Sequence, residues 1–345
     1  MQRQHHLFFR RQLTFPLTLL CAFCICCGIF TGCGHFSTTP KSVTGFYFDT
    51  IISVTIYDSS SEQLLDQCME LADFYEKLLS PNIEGSDIWN INHNPGSYVT
   101  VSEDTLSLIN TSLTYARLSD GLVDPTVGGL SQLWNFGSDN DAVVPDQNSI
   151  ENALSHINYE TIHIKEDKVM LSDPSACMEL GFIAKGFIAD KIKEFLLSKG
   201  VSSAIINLGG NILTVGSKPD GTSFSIGIQK PFEKNGEPAL TLAIHDASIV
   251  SSGNYERYFE QDGRLYHHIL STRTGYPVDS GLSQVTIISD SSTTGDALST
   301  LCFILGYKKA ASLLEDYPEI QAVFIGEDGQ ISYVNFDQSL LLNSH

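Results

Sequence analysis

Apolar residues recur along this chain at two periods, and the period changes where turn residues cluster. From 61 to 79, Leu64, Leu65, Cys68, Met69, Ala72, Tyr75, Leu78 and Leu79 are spaced three to four apart, which predicts a helix with one buried face. Further helices are expected at Thr105–Leu118, 183–199, 296–305 and 307–315. Phe46 to Tyr57 alternates with β-branched residues and predicts one strand. Strands are also expected at 160–165, 168–171, 203–208, 223–229, 240–245, 282–289, 320–325 and 331–335. Residues 34–44, rich in Ser, Thr, Pro and Gly, read as a tether, and 137–149 as a polar loop. Strands that pair off as hairpins, with helices between some of them, predict an α+β fold rather than a doubly wound sheet.

The N-terminus departs from this pattern. Residues 1–32 hold Arg3, Arg10 and Arg11 and no acid, and Leu13 to Phe30 is apolar but for Thr14, Thr18, one proline and one glycine. A basic region, an apolar run and small residues before a cysteine predict an export signal over 1–32. Phe30-Thr31-Gly32-Cys33 resembles a bacterial lipobox, which makes Cys33 the expected lipidated residue. An uncleaved transmembrane anchor is the alternative that an 18-residue apolar run permits. Either reading places the body outside the cytoplasmic membrane. The expected organisation is a signal at 1–32, a tether at 33–44, one domain at 45–335 and a tail at 336–345.

Composition narrows the function. With 42% hydrophobic and 10% aromatic residues, the chain can build a core and is no disordered tail. A net charge of −20 argues against nucleic acid or an anionic membrane surface as the main partner. A bound anion then needs a metal ion or backbone N–H groups. Outside the signal and Cys33, the cysteines are Cys68, Cys177 and Cys302. They form no CxxC pair, so no zinc knuckle or redox motif is indicated; buried thiols are expected, with one disulfide left open.

Five segments hold chemistry-bearing residues, each with a plainer reading beside the functional one. On a helix, Asp296 and Thr300 share a face, and a carboxylate beside a hydroxyl suits Mg²⁺ rather than zinc. Asp296 can equally cap its helix after Thr293-Thr294-Gly295. Glu179 to Asp190 runs from a strand through a turn into a helix, a junction that offers backbone groups to a ligand, and Lys185 there meets either a phosphate or water. Asn207-Leu208-Gly209-Gly210-Asn211 leaves a strand with two glycines, for close backbone approach or for a simple turn. His267 and His268 point to opposite faces of an extended chain, so at most one faces a given pocket. Asp124-Pro125-Thr126 and the aromatics Trp134 and Phe136 either cap a core or hold a flat ring.

Taken together and in order, these segments resemble the ApbE family, the FAD:protein FMN transferases. The resemblance runs through Phe48-Asp49-Thr50, Ser80 to Asn92, Ser119 to Gly137, Glu179 to Asp190, Asn207 to Asn211, Ser252-Gly253-Asn254-Tyr255, His268 to Pro277 and Asp296 to Thr300. It implies two interleaved lobes of mixed sheet and helices flanking a flavin cleft. By resemblance, Mg²⁺ is held by the Ala184 carbonyl and the side chains of Asp296 and Thr300, and His268 is the base. FAD contacts are implied at Phe48, Asn82, Leu122, Val123, Asp124, Glu179, Gly181, Lys185 and Leu270. The implied reaction moves FMN from FAD to a threonine of an acceptor protein, a membrane redox-complex subunit, and releases AMP. The resemblance also implies an exported, lipid-anchored enzyme.

This chain departs from the family pattern at three places. Ser271-Thr272 stands for the usual Asp-Pro, and Asn211 for an Asp after two glycines. Asn82 stands where relatives often have an aromatic ring that can stack on the flavin. That last change is expected to weaken flavin retention and to favour hydrolysis. The alternatives are therefore an Mg²⁺-dependent FAD pyrophosphatase and a non-catalytic flavin-binding lipoprotein.

Overall fold

The structure, a computed structural model, describes residues 39–58, 62–136, 142–233 and 238–342. The export signal, Cys33 and residues 34–38 of the tether lie outside the described residues.

The chain enters a hairpin at once. Strand β1 (Lys41–Tyr47) pairs antiparallel with β2 (Thr50–Ile56), and Tyr47 lies opposite Thr50. The sequence pattern predicts one strand here, but Phe48 and Asp49 both take positive φ, at 52° and 56°. Two such residues make the tight hairpin turn whose twist matches that of its strands. The last four residues of the expected tether, 41–44, are thus strand.

Helix α1 (Glu62–Leu79) turns Leu65, Cys68, Met69, Ala72, Tyr75 and Leu79 inward. Two further helices, α2 (Asp87–His93) and α3 (Glu103–Leu118), start at Ser86 and Ser102. Each serine hydroxyl accepts the N–H three residues on, a helix start the apolar period alone does not reveal. Short strands β3 (Val99–Thr100), β4 (Ile162–Lys165) and β5 (Lys168–Leu171) form a small antiparallel sheet. Between them lie α4 (Gly128–Trp134) and α5 (Gln147–Leu154), the latter replacing the end of the expected polar loop. Helix α6 (Ala184–Ser198) follows the Glu179 segment.

The remaining strands are β6 (Ala204–Leu208), β7 (Asn211–Val215), β8 (Phe224–Ile228), β9 (Leu240–Ile244), β10 (Ser248–Gly253), β11 (Tyr258–Gln261), β12 (Arg264–His267), β13 (Leu282–Ser289), β14 (Gln321–Gly326) and β15 (Ile331–Val334). Eight strands form one antiparallel sheet in the order β1-β2-β6-β7-β10-β13-β14-β15. The last helix, α7 (Ser292–Leu314), is broken at Gly306, where φ is 71°. The expected pair of helices, 296–305 and 307–315, is borne out: the helical run is interrupted at Gly306, whose φ/ψ is non-helical.

One sheet face is covered by helices. Ile52, Val54, Ala204, Ile206 and Leu208 pack with residues of α1 and α6, and Val285 and Ile287 with Leu298 and Leu301 of α7. On the other face, Ile249, Ile288, Val323 and Ile325 meet the β8–β9 hairpin and the chain end. Phe336, Leu340 and Leu341 join this cluster, and Leu342 N–H donates to the Thr241 carbonyl, so 336–342 is a packed strap rather than a free tail. Helices on one face of an antiparallel sheet make this an α+β fold. Cys68, Cys177 and Cys302 are free thiols.

Candidate active site

The site is organised where α6 crosses the start of α7. Gly186 makes the crossing possible: a Cβ there would overlap the Ser292 carbonyl and the Asp296 side chain. Its bare backbone N–H donates to Asp296 Oδ2 at 2.8 Å. The start of α7 is capped from α6. Asp190 accepts from Ser292 N, from Thr293 N and Oγ1, and from Ser291 Oγ. Ser291 in turn accepts from Thr294 N. With the N-terminus held this way, Asp296 lies a turn inside the helix and does not cap it, which resolves the alternative left open by the sequence.

Asp296 is 4% exposed, and burial raises its pKa to about 6. Lys185 and the Gly186 N–H oppose the rise, and Asp190 adds to it. Thr300, one turn on, stands on the same face, with Oγ1 3.2 Å from Ser252 Oγ on β10. Among the described residues, no group of three or more His, Cys, Asp and Glu side chains can hold a metal. The side-chain donors expected here are one carboxylate, Asp296, and one hydroxyl, Thr300, beside the first turn of α6 that begins at Ala184. An oxygen-only set with a single charge fits a hard ion such as Mg²⁺, which keeps several waters, and fits zinc badly. Asp296 has one oxygen that accepts no hydrogen bond among the described residues, so the donor set has room for such an ion.

A histidine approaches from the β11–β12 hairpin. Asp262 and Gly263 form its turn, both at positive φ, and Tyr258 pairs with His267. His267 faces the core: it is 4% exposed, lies edge-on to Phe303, and bonds Val278 O through Nε2 and Ile269 N through Nδ1. His268 faces the other way. Its backbone N–H donates to the Arg257 carbonyl, and its Nδ1 lies 3.3 Å from the same oxygen. A carbonyl only accepts, so Nδ1 carries the proton and Nε2 keeps its lone pair. Burial, then the charges of Arg257, Lys185 and His267, hold the imidazole well below its ordinary pKa.

Electrostatic coupling joins these groups. Glu256 has its pKa raised by burial, against the pull of Lys185 and Arg257, with Asp296 adding to the rise. Glu179 is raised by burial, against Ser131 and Arg257. Glu256 is exposed and Glu179 partly buried, yet desolvation is the leading cause for both. Glu179, Lys185, Glu256, Arg257, His268 and Asp296 therefore share one neighbourhood. Glu256, Arg257 and Ser252 are absent from the residues expected from sequence, although the Asp262-Gly263 hairpin signal sets Arg257 opposite His268 by counting outward.

The other expected contacts divide. Phe48 is partly buried at the β1–β2 turn, where its N–H donates to Glu76 Oε1. Gly181 is exposed, and a Cβ there would meet Glu179 Oε1. Asn82 is exposed after α1, its N–H held by Ser80 Oγ. Leu122 and Val123 pack against the α7 cluster. The Asp124 carboxylate is internal, accepting from Thr126 N and Oγ1 and from Tyr159 N, so it builds the turn and leaves only backbone for a ligand. Leu270 is buried with Leu130, Trp134 and Ile150. Trp134 is fully buried and donates to the Gly275 carbonyl, so its ring caps a core.

Ser271 replaces the usual aspartate without loosening its loop. Its hydroxyl accepts from Arg273 N and Thr274 N, while Thr272 Oγ1 donates to the Gly121 carbonyl. Asn211 fares less well: Oδ1 accepts from Ser292 Oγ, but its buried Nδ2 has no hydrogen-bond partner among the described residues. A separate concavity of about 430 Å³ lies between α4, α5 and Ser175–Cys177. The Cys177 thiol there is pushed up to about 11 by burial and by Glu179, so it is no ready nucleophile.

A buried carboxylate, two cations and an imidazole with a free Nε2 gather here, a set suited to an anionic substrate and to proton transfer. The profile of the ApbE family matches residues 48–324. The FAD:protein FMN transferase of Treponema pallidum is 33% identical over 328 residues, covering 89% of this chain and 90% of that protein. The FAD:protein FMN transferase of Klebsiella pneumoniae is 37% identical over 276 residues, covering 79% and 85%. The crystal structure of the ApbE protein of Thermotoga maritima superposes with a TM-score of 0.79 at 31% identity, covering 86% of this chain and 97% of that one. The chain belongs to the ApbE family.

Proposed function

We propose that this protein transfers FMN from FAD to a threonine of an acceptor protein. The observation that carries the reading is His268, a neutral imidazole with Nε2 free, sharing a neighbourhood with Lys185 and the buried Asp296. The threonine Oγ attacks the phosphorus on the FMN side while its proton passes to His268 Nε2. The bond to AMP breaks, and AMP leaves with the electron pair. Lys185 supplies positive charge to the pyrophosphate. Mg²⁺ held by Asp296, Thr300 and the Ala184 carbonyl would neutralise phosphate and leaving-group charge. Glu179, Gly181 and the backbone of Leu122–Asp124 are the candidates to hold the rest of FAD.

Mass spectrometry of a candidate acceptor domain, incubated with this protein, FAD and Mg²⁺, tests the reading. A phosphoester-linked FMN on threonine supports it; unmodified acceptor with FAD converted to FMN and AMP supports the pyrophosphatase instead. Exposed Asn82, an amide where a ring is usual, favours that second reading to the extent that flavin leaves before threonine arrives.

The N-terminal pattern supports export and lipidation at Cys33, with the enzyme acting outside the cytoplasmic membrane on a membrane redox-complex subunit. Cys33→Ala is expected to release the protein from the membrane fraction. Unchanged processing and retention would favour a transmembrane anchor.

A further inference from the structure

We propose that the Arg257 guanidinium binds the non-bridging oxygens of the phosphate that is attacked, forming with Lys185 a two-cation clamp beside the base. The proposal deepens the transferase reading and rests on it. The β11–β12 hairpin fixes the geometry. Its pairs run from Gln261 and Arg264 to Tyr258 and His267, and the next step sets Arg257 opposite His268, joined by the His268 N–H to the Arg257 carbonyl. Residues directly opposite on an antiparallel pair project to the same face, with Cβ atoms about 4.5–5.5 Å apart. Arg257 and His268 thus leave the end of the hairpin side by side, with Arg257 exposed and its charge felt by the imidazole.

The guanidinium is available there. Among the described residues it forms no ion pair with a carboxylate, although Lys41, Lys77, Lys191, Lys193, Lys230 and Arg273 do. Glu179 and Glu256 lie within electrostatic reach without closing on it. In a chain of net charge −20, an anionic substrate needs cations concentrated at the cleft. The planar fork of arginine matches two phosphate oxygens at once, which a lysine does not.

Position decides which phosphate. The base and the threonine lie on one side of the phosphorus and the leaving AMP on the other. A residue paired with His268 therefore faces the phosphorus under attack. As the Oγ–P bond forms and the P–O bond to AMP breaks, the proton goes to His268, and the equatorial oxygens that stay behind are the ones Arg257 meets.

The test is flavin binding, followed by fluorescence, to full-length wild type, Arg257→Met and Arg257→Lys, with FAD, FMN and riboflavin. Riboflavin has the same ring and no phosphate. Arg257→Met is expected to lose about 10- to 100-fold in affinity for FMN and FAD and none for riboflavin. Arg257→Lys should recover part of the loss, and it decides the matter if the methionine variant does not fold. Equal weakening for riboflavin and FMN would mean that the arginine only shapes the cleft. Unchanged binding of all three would mean that it touches no phosphate. Wild-type protein that binds riboflavin as tightly as FAD and FMN would overturn the transferase reading itself.

Discussion

Asp190 and Asp296 flank the same crossing of α6 and α7, yet Asp190 accepts four hydrogen bonds and Asp296 one. The first is saturated by the N-terminal turn it caps. The second is buried with an oxygen to spare, and desolvation raises its pKa to about 6. A saturated buried carboxylate stabilises a fold, whereas an under-saturated one costs stability unless a cation completes it. The histidines repeat the contrast. Both ring nitrogens of His267 are bonded in the core, while His268 leaves Nε2 open. Two aspartates at one helix crossing, and two adjacent histidines, thus divide between holding the fold and doing chemistry.

Asp296→Asn sharpens the contrast most. It removes the charge yet keeps an oxygen for the Gly186 N–H, so transfer should vanish while stability stays within about 1 kcal/mol. Asp190→Ala should do the reverse, lowering unfolding free energy by about 2–3 kcal/mol while folded molecules still turn over. Denaturant titration beside single-turnover transfer reads both; full activity of Asp296→Asn at limiting Mg²⁺ would remove Asp296 as the metal ligand.

His268→Asn should slow transfer by roughly 10²- to 10⁴-fold with FAD still bound. The sequence suggests that His267 tolerates the same change because it points away from the site. Its cost falls on the fold instead: His267→Asn breaks core packing and should lower stability by about 1–3 kcal/mol, with activity per folded molecule kept. Wild-type turnover in His268→Asn at saturating FAD would exclude it as the base.

The pH profile follows with smaller amplitude. Only neutral imidazole accepts a proton, and His268 is held well below its usual value, so transfer should be flat near pH 7 and fall only in acid. The depressed value also means that the unfolded chain takes up this proton first. Its stability contribution is present above about 6.5 and is lost as pH falls through the folded value. Asp296 has the opposite sign. Its folded value, raised from 3.8 to about 6, gives a contribution fully present below 3.8 and lost as pH rises through about 6. Protons then compete with the metal, so the Mg²⁺ concentration for half-maximal transfer should climb below about pH 6. The same Mg²⁺ titration at pH 5 and pH 7 would contradict this if the two curves coincided.

Thr300→Ala is the mildest change. One neutral ligand is lost and water can replace it, so the Mg²⁺ requirement should rise a few-fold with maximal rate nearly kept. Loss of all activity would place Thr300 in the same class as Asp296.

Much of this arrangement is legible along the chain. The apolar periods locate α1, α3, α6 and most central strands, because burial of one face leaves a local, repeating mark. Asp296 and Thr300 are readable as a pair from helical geometry, and the opposed histidines from strand alternation. The β1–β2 turn is not, since Phe48-Asp49 lacks the Asn-Gly or Asp-Gly signal usual at such turns. Nor is the role of Asp124 or Leu270, whose side chains meet partners such as Tyr159 and Trp134 that are distant in sequence.

The sequence by itself determined the periodic elements, the acidic balance and the order of segments that marks the family. Only the tertiary structure decided which carboxylate is saturated, which histidine is buried, and that Glu256 and Arg257 join Lys185 beside the base. Periodicity records whether a residue faces the core, and that is a local property. Hydrogen-bond saturation and desolvation depend on groups supplied from elsewhere in the chain, such as the Gly186 N–H that reaches Asp296 across 110 residues.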